Sequence, residues 1–435
     1  MFYVCYNLLS LLLLVPVILF SIYRSVSLQW PLALAARFGC IPSRELAKLR
    51  ARPVILLHAV SVGEIIAARP LIRSLRDRYP DHALVVSNGT ETGRQTASSF
   101  SEIDLCSYFP FDFLPSVRHM LKQLSPCIVI IMETEIWPNF TREAARRGIP
   151  LVMANGRISD RSFPRYLKLS WFFRNALQNF TLLCMQSEVA RERIIAIGAP
   201  PERVVVSGNL KYDIPFHAVS GTEKSMLRRR YNIPDELFVI TAGSTRSSED
   251  NCEEEILVKA YQSLLGDFAD LFMVLVPRHP QRTAAVVALL EKTGIRCRTL
   301  SELNSNNAQY FRSGEVLLVD RVGELMDLYA LADLAFVGGS LVPVGGHNLL
   351  EPASRGIPLV FGPHMSNFRE IAALVLEYKA GIQVSTPAEL SLTLRRLIGD
   401  QVERQKLGDN SLAMMRLNGG ATERHMEVIA GQLVP

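Results

Sequence analysis

The stretch VILLHAVSVGEIIAARPLIRSL, residues 54–75, contains a complete strand-to-helix unit and decides the fold class. An apolar run ends at His58, and apolar residues recur at helical spacing after Glu64. A continuous apolar run is typical of a strand buried on both faces, whereas the later spacing is typical of a helix packed on a sheet. We predict one apolar helical face formed by Ile65, Ile66, Ala68, Leu71, Ile72 and Leu75.

Similar apolar runs alternate with amphipathic segments along the rest of the chain, which predicts parallel sheets covered by helices. In the first half, the predicted strands are residues 53–60, 83–88, 127–132, 150–155, 181–186 and 204–208. In the second half, they are residues 238–244, 271–277, 295–300, 315–320, 334–340 and 358–362. We therefore predict an α/β fold with two doubly wound, Rossmann-like domains.

A polar segment separates these two sets of strands. Residues 209–238 contain two prolines and have no strand pattern. We predict a first domain at residues 35–210, a linker at 211–235 and a second domain at 236–435. Since doubly wound sheets bind ligands at the carboxyl ends of their strands, we expect the site in a cleft that the two domains face.

The N-terminus predicts a membrane anchor at residues 1–23. This run carries no charge and has about the 20 residues that a helix needs to cross a bilayer. Positive residues follow from Arg24 onward, so the positive-inside rule predicts that the rest of the chain is cytoplasmic. The anchor either spans the bilayer or lies in one leaflet. A buried core helix is the alternative interpretation.

Composition describes a globular protein, with 49% apolar and 20% charged residues among 435 and a net charge of +5. Basic side chains concentrate in one part of the first half, which favours an anionic membrane surface or an anionic lipid substrate. They are Arg142, Arg146, Arg147, Arg157, Arg161, Arg165, Lys168 and Arg174. For any single arginine, a solvated face is the alternative. We expect no nucleic-acid partner.

Several familiar site signatures are missing from the sequence. The seven cysteines include no C-x-x-C pair and no neighbouring histidine at metal-ligand spacing, so neither a zinc site nor disulfides are expected. No G-x-x-x-x-G-K-[ST] or G-x-G-x-x-G motif is present, which disfavours an NTPase or a dinucleotide oxidoreductase. No D-x-D motif stands in a glycosyl-transfer setting, which argues against a bound divalent cation.

Turns at the predicted strand ends of the second half carry groups that suit a nucleotide. Residues 243–246 separate a strand from a helix, where free backbone N–H groups favour an anion. Arg278 ends the next strand, and exposed backbone at residues 323–324 could pair with the edge of a base. Asn348 and Glu351 share one face of a helical turn, where a carboxylate can accept hydrogen bonds from both ribose hydroxyls. Each turn alone is weak evidence, but the four together favour a nucleotide-linked donor.

The first half offers carboxylates instead. Glu64 follows the first strand, and Glu133 and Glu135 follow the strand at 127–132. Carboxylates at strand ends suit proton abstraction from a hydroxyl if burial lifts their pKa toward neutrality. The alternative for Glu64 is a helix N-terminal carboxylate stabilised by the dipole, and for Glu133 and Glu135 it is a salt bridge to nearby arginines.

Eight motifs in order give the chain a family resemblance. They are HAVSVGE, METEIWPN, NGRISDRS, GNLKYD, PRHP, VGEL, GGSLVPVGGHNLLEP and FGPHMSNFRE, between about residues 58 and 370. Together with the N-terminal anchor, they resemble the 3-deoxy-D-manno-oct-2-ulosonic acid (Kdo) transferases of lipopolysaccharide assembly. The resemblance covers nearly the whole chain and implies the GT-B glycosyltransferase fold, with two Rossmann-like domains facing a cleft.

The resemblance also implies an activity: inverting, metal-independent transfer of Kdo from CMP-Kdo to the phosphorylated lipid A precursor at the cytoplasmic face of the inner membrane. It implies that Glu64 is the general base and that Glu133 and Lys211 stabilise the transition state. It implies that CMP is held by Pro277, Arg278, Val322, Gly323, Glu324, Asn348, Leu349, Leu350 and Glu351. Further candidate contacts to acceptor or donor are Glu135, Arg157, Ser244 and Arg246. No cofactor is implied, and the number of Kdo residues added and the oligomeric state stay open.

Two alternatives remain at this point. One is a sugar-nucleotide epimerase or hydrolase, because such enzymes can share the GT-B fold. The other is a non-catalytic membrane scaffold that binds a nucleotide sugar without turning it over.

Overall fold

The computed structural model describes residues 2–49, 52–248, 251–303 and 309–433. The chain forms two compact units. The first unit comprises Met1–Asp213 together with Asn418–Pro435, and the second comprises Ile214–Leu417. Each unit is built around one seven-stranded sheet whose paired strands are all parallel.

The first sheet has the Rossmann strand order β3-β2-β1-β4-β5-β6-β7. Its strands are β1 Val54–Ala59, β2 Ala83–Asn88, β3 Leu105–Tyr108, β4 Ile128–Met132, β5 Leu151–Gly156, β6 Leu182–Met185 and β7 Val204–Val206. All residues of β1, β2, β4 and β5 are buried, as their continuous apolar runs predict. The strand order reverses between β1 and β4, so the carboxyl ends of these two strands flank the usual ligand position of such a sheet.

Helices cover this sheet on both faces, with one apolar cluster on each. The helices described in this unit are Phe2–Leu28, Leu34–Arg37, Ser43–Leu49, Val62–Arg78, Glu91–Ser98, Leu114–Leu124, Pro138–Arg146, Phe163–Lys168, Ser170–Leu177, Glu188–Ile197 and Ala421–Ala430, with 3₁₀ turns at Pro201–Arg203 and Leu210–Tyr212. The helix predicted after β1 is confirmed, but the inclusion of Ile66 in its buried face is wrong. Ile66 is 57% exposed because it lies about 100° round the helix from Ile65, which is buried.

The second sheet has the order β10-β11-β9-β8-β12-β13-β14. Its strands are β8 Phe238–Thr245, β9 Leu271–Pro277, β10 Cys297–Thr299, β11 Val316–Leu318, β12 Leu334–Val337, β13 Leu359–Phe361 and β14 Gly381–Gln383. Its helices are Gly221–Arg230, Glu253–Leu264, Thr283–Lys292, Leu300–Leu303, Leu325–Ala330, Leu350–Ala353, Arg369–Glu377, Pro387–Gly399 and Gln401–Asn418, with a 3₁₀ turn at Pro280–Arg282. The order reverses between β8 and β12, which makes the ends of these strands the ligand position of this unit.

The C-terminal segment differs from the predicted domain range 236–435. Its last helix, Ala421–Ala430, packs on the first unit because Met426 and Ile429 join the apolar cluster beside the Val62–Arg78 helix. The carboxylate of Asp213 accepts hydrogen bonds from the Ala421 and Thr422 backbone amides, which fixes the start of this helix. The chain therefore returns to its first unit to complete that unit's core.

The predicted linker at residues 211–235 also differs from a simple connection. It contains the helix Gly221–Arg230, which belongs to the second unit. Buried Arg228 donates to the Asp333 carboxylate at 2.7 Å and to the Leu237 carbonyl at 3.0 Å. These contacts hold the segment against the start of β8.

The N-terminal helix Phe2–Leu28 has the length and composition of a membrane anchor. Among the described residues it is the one helix that is long and apolar enough to cross a bilayer, with a mean hydropathy of 2.3 over an 18-residue window. None of its residues is buried, so it is not a core helix of the domain.

Candidate functional site

Glu64 lies in the first turn of the helix that follows β1, where its carboxylate is held by the turn itself. Ser61 caps this helix: its Oγ accepts a hydrogen bond from the Glu64 amide at 3.4 Å and donates to Glu64 Oε1 at 2.9 Å. The Val60 amide donates to Glu64 Oε2 at 2.8 Å. This arrangement resembles a capping box and fixes the position of the carboxylate.

Burial decides the charge state of Glu64. The residue is 9% exposed, and burial raises its pKa to about 7. The hydrogen bonds from Val60 and Ser61 oppose this increase, whereas the negative charges of Glu133 and Glu135 add to it. Near neutral pH, a large fraction of the protein therefore carries a deprotonated Glu64 that can take up a proton.

Glu133 and Lys211 lie beside Glu64. Glu133 directly follows β4, which pairs with β1 at the point where the strand order reverses. Its backbone has a φ of 53°, and its amide donates to the Ala154 carbonyl at 2.8 Å. Lys211 Nζ is 3.6 Å from Glu133 Oε1, so the two side chains form a partly exposed ion pair. The structure thus brings Glu64, Glu133 and Lys211 to one edge of the first sheet.

The turn that carries Lys211 is fixed by residues that the sequence did not single out. Asn155 Oδ1 accepts a hydrogen bond from the Leu210 amide, and the Asn155 amide donates to His425 Nε2, both at 3.0 Å. His425 Nδ1 donates to the Ala421 carbonyl at 2.7 Å. Burial lowers the pKa of His425 to about 4, so it is neutral and able to accept. Only the return of the C-terminal helix to the first unit places His425 here.

Glu135 and Arg157 complete the carboxyl ends of β4 and β5. Burial raises the pKa of Glu135, and the charge of Glu133 adds to this increase. The Arg157 amide donates to Thr134 Oγ1 at 3.0 Å, and Thr134 Oγ1 donates back to the Arg157 carbonyl. These two bonds hold the segment containing Glu133 and Glu135 against the end of β5.

In the second unit, a buried carboxylate shapes the turns at the β8 and β12 ends. Glu253 opens the helix after β8, and its side chain accepts from the backbone amides of Arg246, Gly339, Ser340 and Leu341 at 3.0, 2.6, 3.0 and 2.9 Å. We expected free amides at residues 243–246, but the Arg246 amide has a partner inside the protein. For Arg246 this expectation is wrong, because Glu253 of the following helix already accepts the hydrogen bond of that amide.

Basic side chains nevertheless gather at this edge of the second sheet. Arg246, Arg278 and His279 all act on His347, and together with burial they lower its pKa to about 4. Arg246 follows β8, Arg278 and His279 follow β9, and His347 lies in the loop after β12. Arg278 is exposed, while the Arg278 amide donates to the Thr245 carbonyl at 3.0 Å, which fixes the turn. Such a cluster favours an anionic ligand.

Asn348 and Glu351 lie together at the Leu350–Ala353 helix. Asn348 Oδ1 accepts from the Leu350 amide at 3.1 Å, which fixes the turn. Burial raises the pKa of Glu351 to about 7, against the opposing effects of a hydrogen bond with Asn348 and the charge of Arg278. The side chains of Leu349 and Leu350 are fully buried, so these two residues can offer a ligand only their backbone groups.

Residues 322–324 follow β11, at the same edge of the second sheet. Val322 is exposed, and Gly323 has a φ of 101° that favours glycine. The Glu324 carboxylate accepts a hydrogen bond from the Tyr231 hydroxyl at 2.5 Å and forms an ion pair with Arg321 at 2.8 Å. The Glu324 carboxylate therefore has a structural role. The part of this turn that is open to the base of a nucleotide is its exposed backbone.

The fold is also found in the solved structures of an epimerase and a glycosyltransferase. The UDP-GlcNAc 2-epimerase of Neisseria meningitidis superposes with a TM-score of 0.56 over 87% of this chain and 100% of its own, at 14% sequence identity. A glycosyltransferase of Rickettsia africae superposes with a TM-score of 0.53 over 88% of this chain and 99% of its own, at 14% identity. These similarities establish the GT-B type of fold alone.

Sequence comparison identifies the family. Residues 33–214 match the model of the 3-deoxy-D-manno-octulosonic-acid transferases (kdotransferases). The chain is 34% identical to the 3-deoxy-D-manno-octulosonic acid transferase of Haemophilus influenzae over 379 residues, 86% of each chain. It is 31% identical to that of Chlamydia muridarum over 386 residues, 88% of this chain and 86% of the relative. The protein is a glycosyltransferase and belongs to the Kdo transferase family, as its motifs predict.

The state of Glu64 predicts a pH dependence. If Glu64 is the general base that the resemblance implies, transfer should rise with pH through about 7, because Glu64 accepts a proton only when deprotonated. Ser61→Ala removes a hydrogen bond that favours the carboxylate, so the midpoint should move to higher pH. Glu135→Gln removes a neighbouring negative charge, so the midpoint should move to lower pH. Plots of kcat/KM against pH measure both shifts, and one common midpoint for all three proteins would exclude Glu64 as the titrating group.

Proposed function

We propose that this protein transfers Kdo from CMP-Kdo to the lipid A precursor of lipopolysaccharide, with inversion at the anomeric carbon and without a metal ion. The observation that carries the proposal is the group formed by Glu64, Glu133 and Lys211 at the reversal of the first sheet. Membership of the family indicates the sugar, and the two separate sets of polar strand ends suit an acceptor and a nucleotide donor.

The first unit supplies the base in this proposal. Deprotonated Glu64 removes the proton from an acceptor hydroxyl as the hydroxyl oxygen attacks the anomeric carbon of Kdo. Val60 and Ser61 hold one hydrogen bond to each carboxylate oxygen, which leaves lone pairs for the substrate hydroxyl. Lys211 pairs with Glu133 at 3.6 Å and so offsets part of the negative charge beside the base.

The second unit binds the donor in this proposal. CMP-Kdo carries a phosphodiester and a sugar carboxylate, and the guanidinium groups of Arg246 and Arg278 suit both anions. As the bond to the sugar breaks, negative charge accumulates on the departing CMP phosphate. Arg278 stabilises that charge, Glu351 accepts from the ribose hydroxyls, and the backbone at residues 322–324 pairs with the base.

The acceptor and its location follow from the first unit. A phosphorylated, acylated disaccharide requires cationic side chains for its phosphates and apolar surface for its chains. The helices Phe163–Lys168 and Ser170–Leu177 carry Arg165, Lys168 and Arg174 beside exposed Trp171. We therefore place the protein at the cytoplasmic face of the inner membrane, on an anionic lipid surface, held by its N-terminal helix.

Mass spectrometry of the products tests the transfer. Purified protein incubated with CMP-Kdo, lipid A precursor and EDTA should convert the lipid to a species heavier by one or more Kdo residues. The reaction without lipid should release little free Kdo, since the attacking hydroxyl belongs to the acceptor. Free Kdo as the main product in both reactions would identify a hydrolase. Binding of CMP-Kdo with unchanged lipid would identify a non-catalytic scaffold.

Glu64→Gln tests the base. The amide keeps the size of the side chain but cannot take up a proton, so kcat should fall by roughly 10²–10⁴-fold while CMP affinity is unchanged. Glu188→Gln is the matched control, because Glu188 is an exposed glutamate in the first turn of another helix of the same unit. Steady-state transfer rates and calorimetric CMP titration provide the two measurements. Undiminished kcat in Glu64→Gln would place the base elsewhere.

Glu351→Ala tests the donor site separately. Loss of a carboxylate that accepts from ribose hydroxyls should weaken CMP binding by about 10–100-fold. Glu377→Ala, at the exposed end of the Arg369–Glu377 helix, is the control and should bind CMP like the unmodified protein. Calorimetry with CMP alone measures the Kd without any acceptor. An unchanged Kd in Glu351→Ala would remove the ribose role of this residue.

A further inference from the structure

The N-terminal helix carries a polar stripe that a membrane-spanning helix would not need. Tyr3, Tyr6, Asn7 and Ser10 are spaced at i, i+3, i+4 and i+7, so they share one face of the helix. Ser21 and Ser25 continue the same face toward the other end, and both are only half-exposed. An amide such as that of Asn7 is expensive to place in hydrocarbon unless it is paired.

The first part of this stripe is paired with the rest of the first unit. The Tyr6 hydroxyl donates to Asp112 Oδ2 at 2.8 Å, and Asn139 Nδ2 donates to Asn7 Oδ1 at 3.0 Å. The Tyr3 hydroxyl donates to the Asn175 carbonyl at 3.0 Å. Asp112 also accepts from the backbone amides that open the Pro138–Arg146 helix, so the contact reaches the framework of the domain. The first two turns of the anchor are therefore docked on the domain.

The other end of the helix leads back to the same place. After Leu28, the chain enters the short helix Leu34–Arg37, and the Arg37 carbonyl accepts from the Phe111 amide at 2.7 Å. Arg37 Nη2 also donates to the Gly89 carbonyl at 2.9 Å. Phe111 is the immediate neighbour of Asp112, which holds Tyr6. The loop at Phe111 and Asp112 thus binds the chain both near the start of the apolar helix and after its end.

A spanning helix cannot satisfy both attachments. Its ends would stand in opposite aqueous phases, separated by about 30 Å of hydrocarbon. We infer that the Phe2–Leu28 helix lies in one leaflet, with its polar stripe on the domain and its opposite face in the acyl chains, so that both ends face the cytoplasm. This inference rests on the membrane anchoring proposed above.

The opposite face of the helix fits this position. Its exposed apolar side chains include Leu8, Leu12, Val15, Leu19 and Val26. The ring of Phe2 contacts Phe172 at 5.1 Å between centroids, and this joins the helix to the neighbouring exposed residues Leu167, Leu169 and Trp171. Arg165, Lys168 and Arg174 in the same two helices are placed for lipid phosphates. Apolar surface flanked by basic residues is typical of an interfacial membrane contact.

Protease access to the N-terminus tests the topology. The full chain carries an epitope tag and a specific protease site before Met1, and is expressed in Gram-negative cells. We expect the protein in the membrane fraction, with the tag cleaved in inverted vesicles and protected in intact spheroplasts. Cleavage in spheroplasts would show that the helix spans and would overturn the inference, while leaving transferase activity as proposed. Recovery in the soluble fraction would overturn the anchoring itself.

A second measurement tests the docking of the helix. Tyr6→Phe removes the hydrogen bond to Asp112 and should lower the Tm of the detergent-solubilised protein by about 2–8 °C. Tyr23→Phe makes the same chemical change on the opposite face, where Tyr23 is 67% exposed, and should leave the Tm unchanged. Equal Tm values for both variants would show that Tyr6 is not docked and would overturn the inference.

Discussion

Parallel strands have to be covered on both faces, and this constraint determines most of the remaining structure. Most of the covering helices lie in the crossovers between strands, and because all strands of a unit run in the same direction, they end at the same edge of its sheet. Glu64 and Glu133 follow β1 and β4, which are distant in sequence but paired in the sheet. The reversal of strand order between them leaves open space at that edge. The topology alone thus brings two carboxylates together.

A carboxylate at a helix N-terminus ordinarily has a lowered pKa, because the dipole and the free amides favour its charged form. Glu64 has both a backbone and a hydroxyl donor, yet its pKa rises to about 7. Burial is the largest influence, and two neighbouring carboxylates act in the same direction. A buried position beside Glu133 and Glu135 therefore gives Glu64 a pKa suited to the general base that we propose, unlike that of an ordinary capping residue.

All twelve strands predicted from apolar runs are present, and the two missed ones share a physical reason. β3 and β14 each lie at the edge of a sheet, where a strand needs fewer apolar residues than in the centre. Their sequences, LCSY and GIQ, are therefore not continuous apolar runs. The sequence also predicted that Glu64, Glu133 and Arg278 follow strands, and in the structure they follow β1, β4 and β9. The placement of His425 and the partners of Glu253 depend on contacts between residues far apart in sequence, so no local pattern indicated them.

Glu253 and Glu64 occupy similar positions, since each lies in the first turn of the helix after the first strand of its unit. Burial raises the pKa of both carboxyl groups. Glu253 accepts four backbone hydrogen bonds, which fill the roughly four acceptor positions of a carboxylate. Glu64 accepts one backbone and one hydroxyl hydrogen bond, so acceptor positions remain. The number of fixed donors thus separates a carboxylate that holds two turns together from one that can accept a substrate proton.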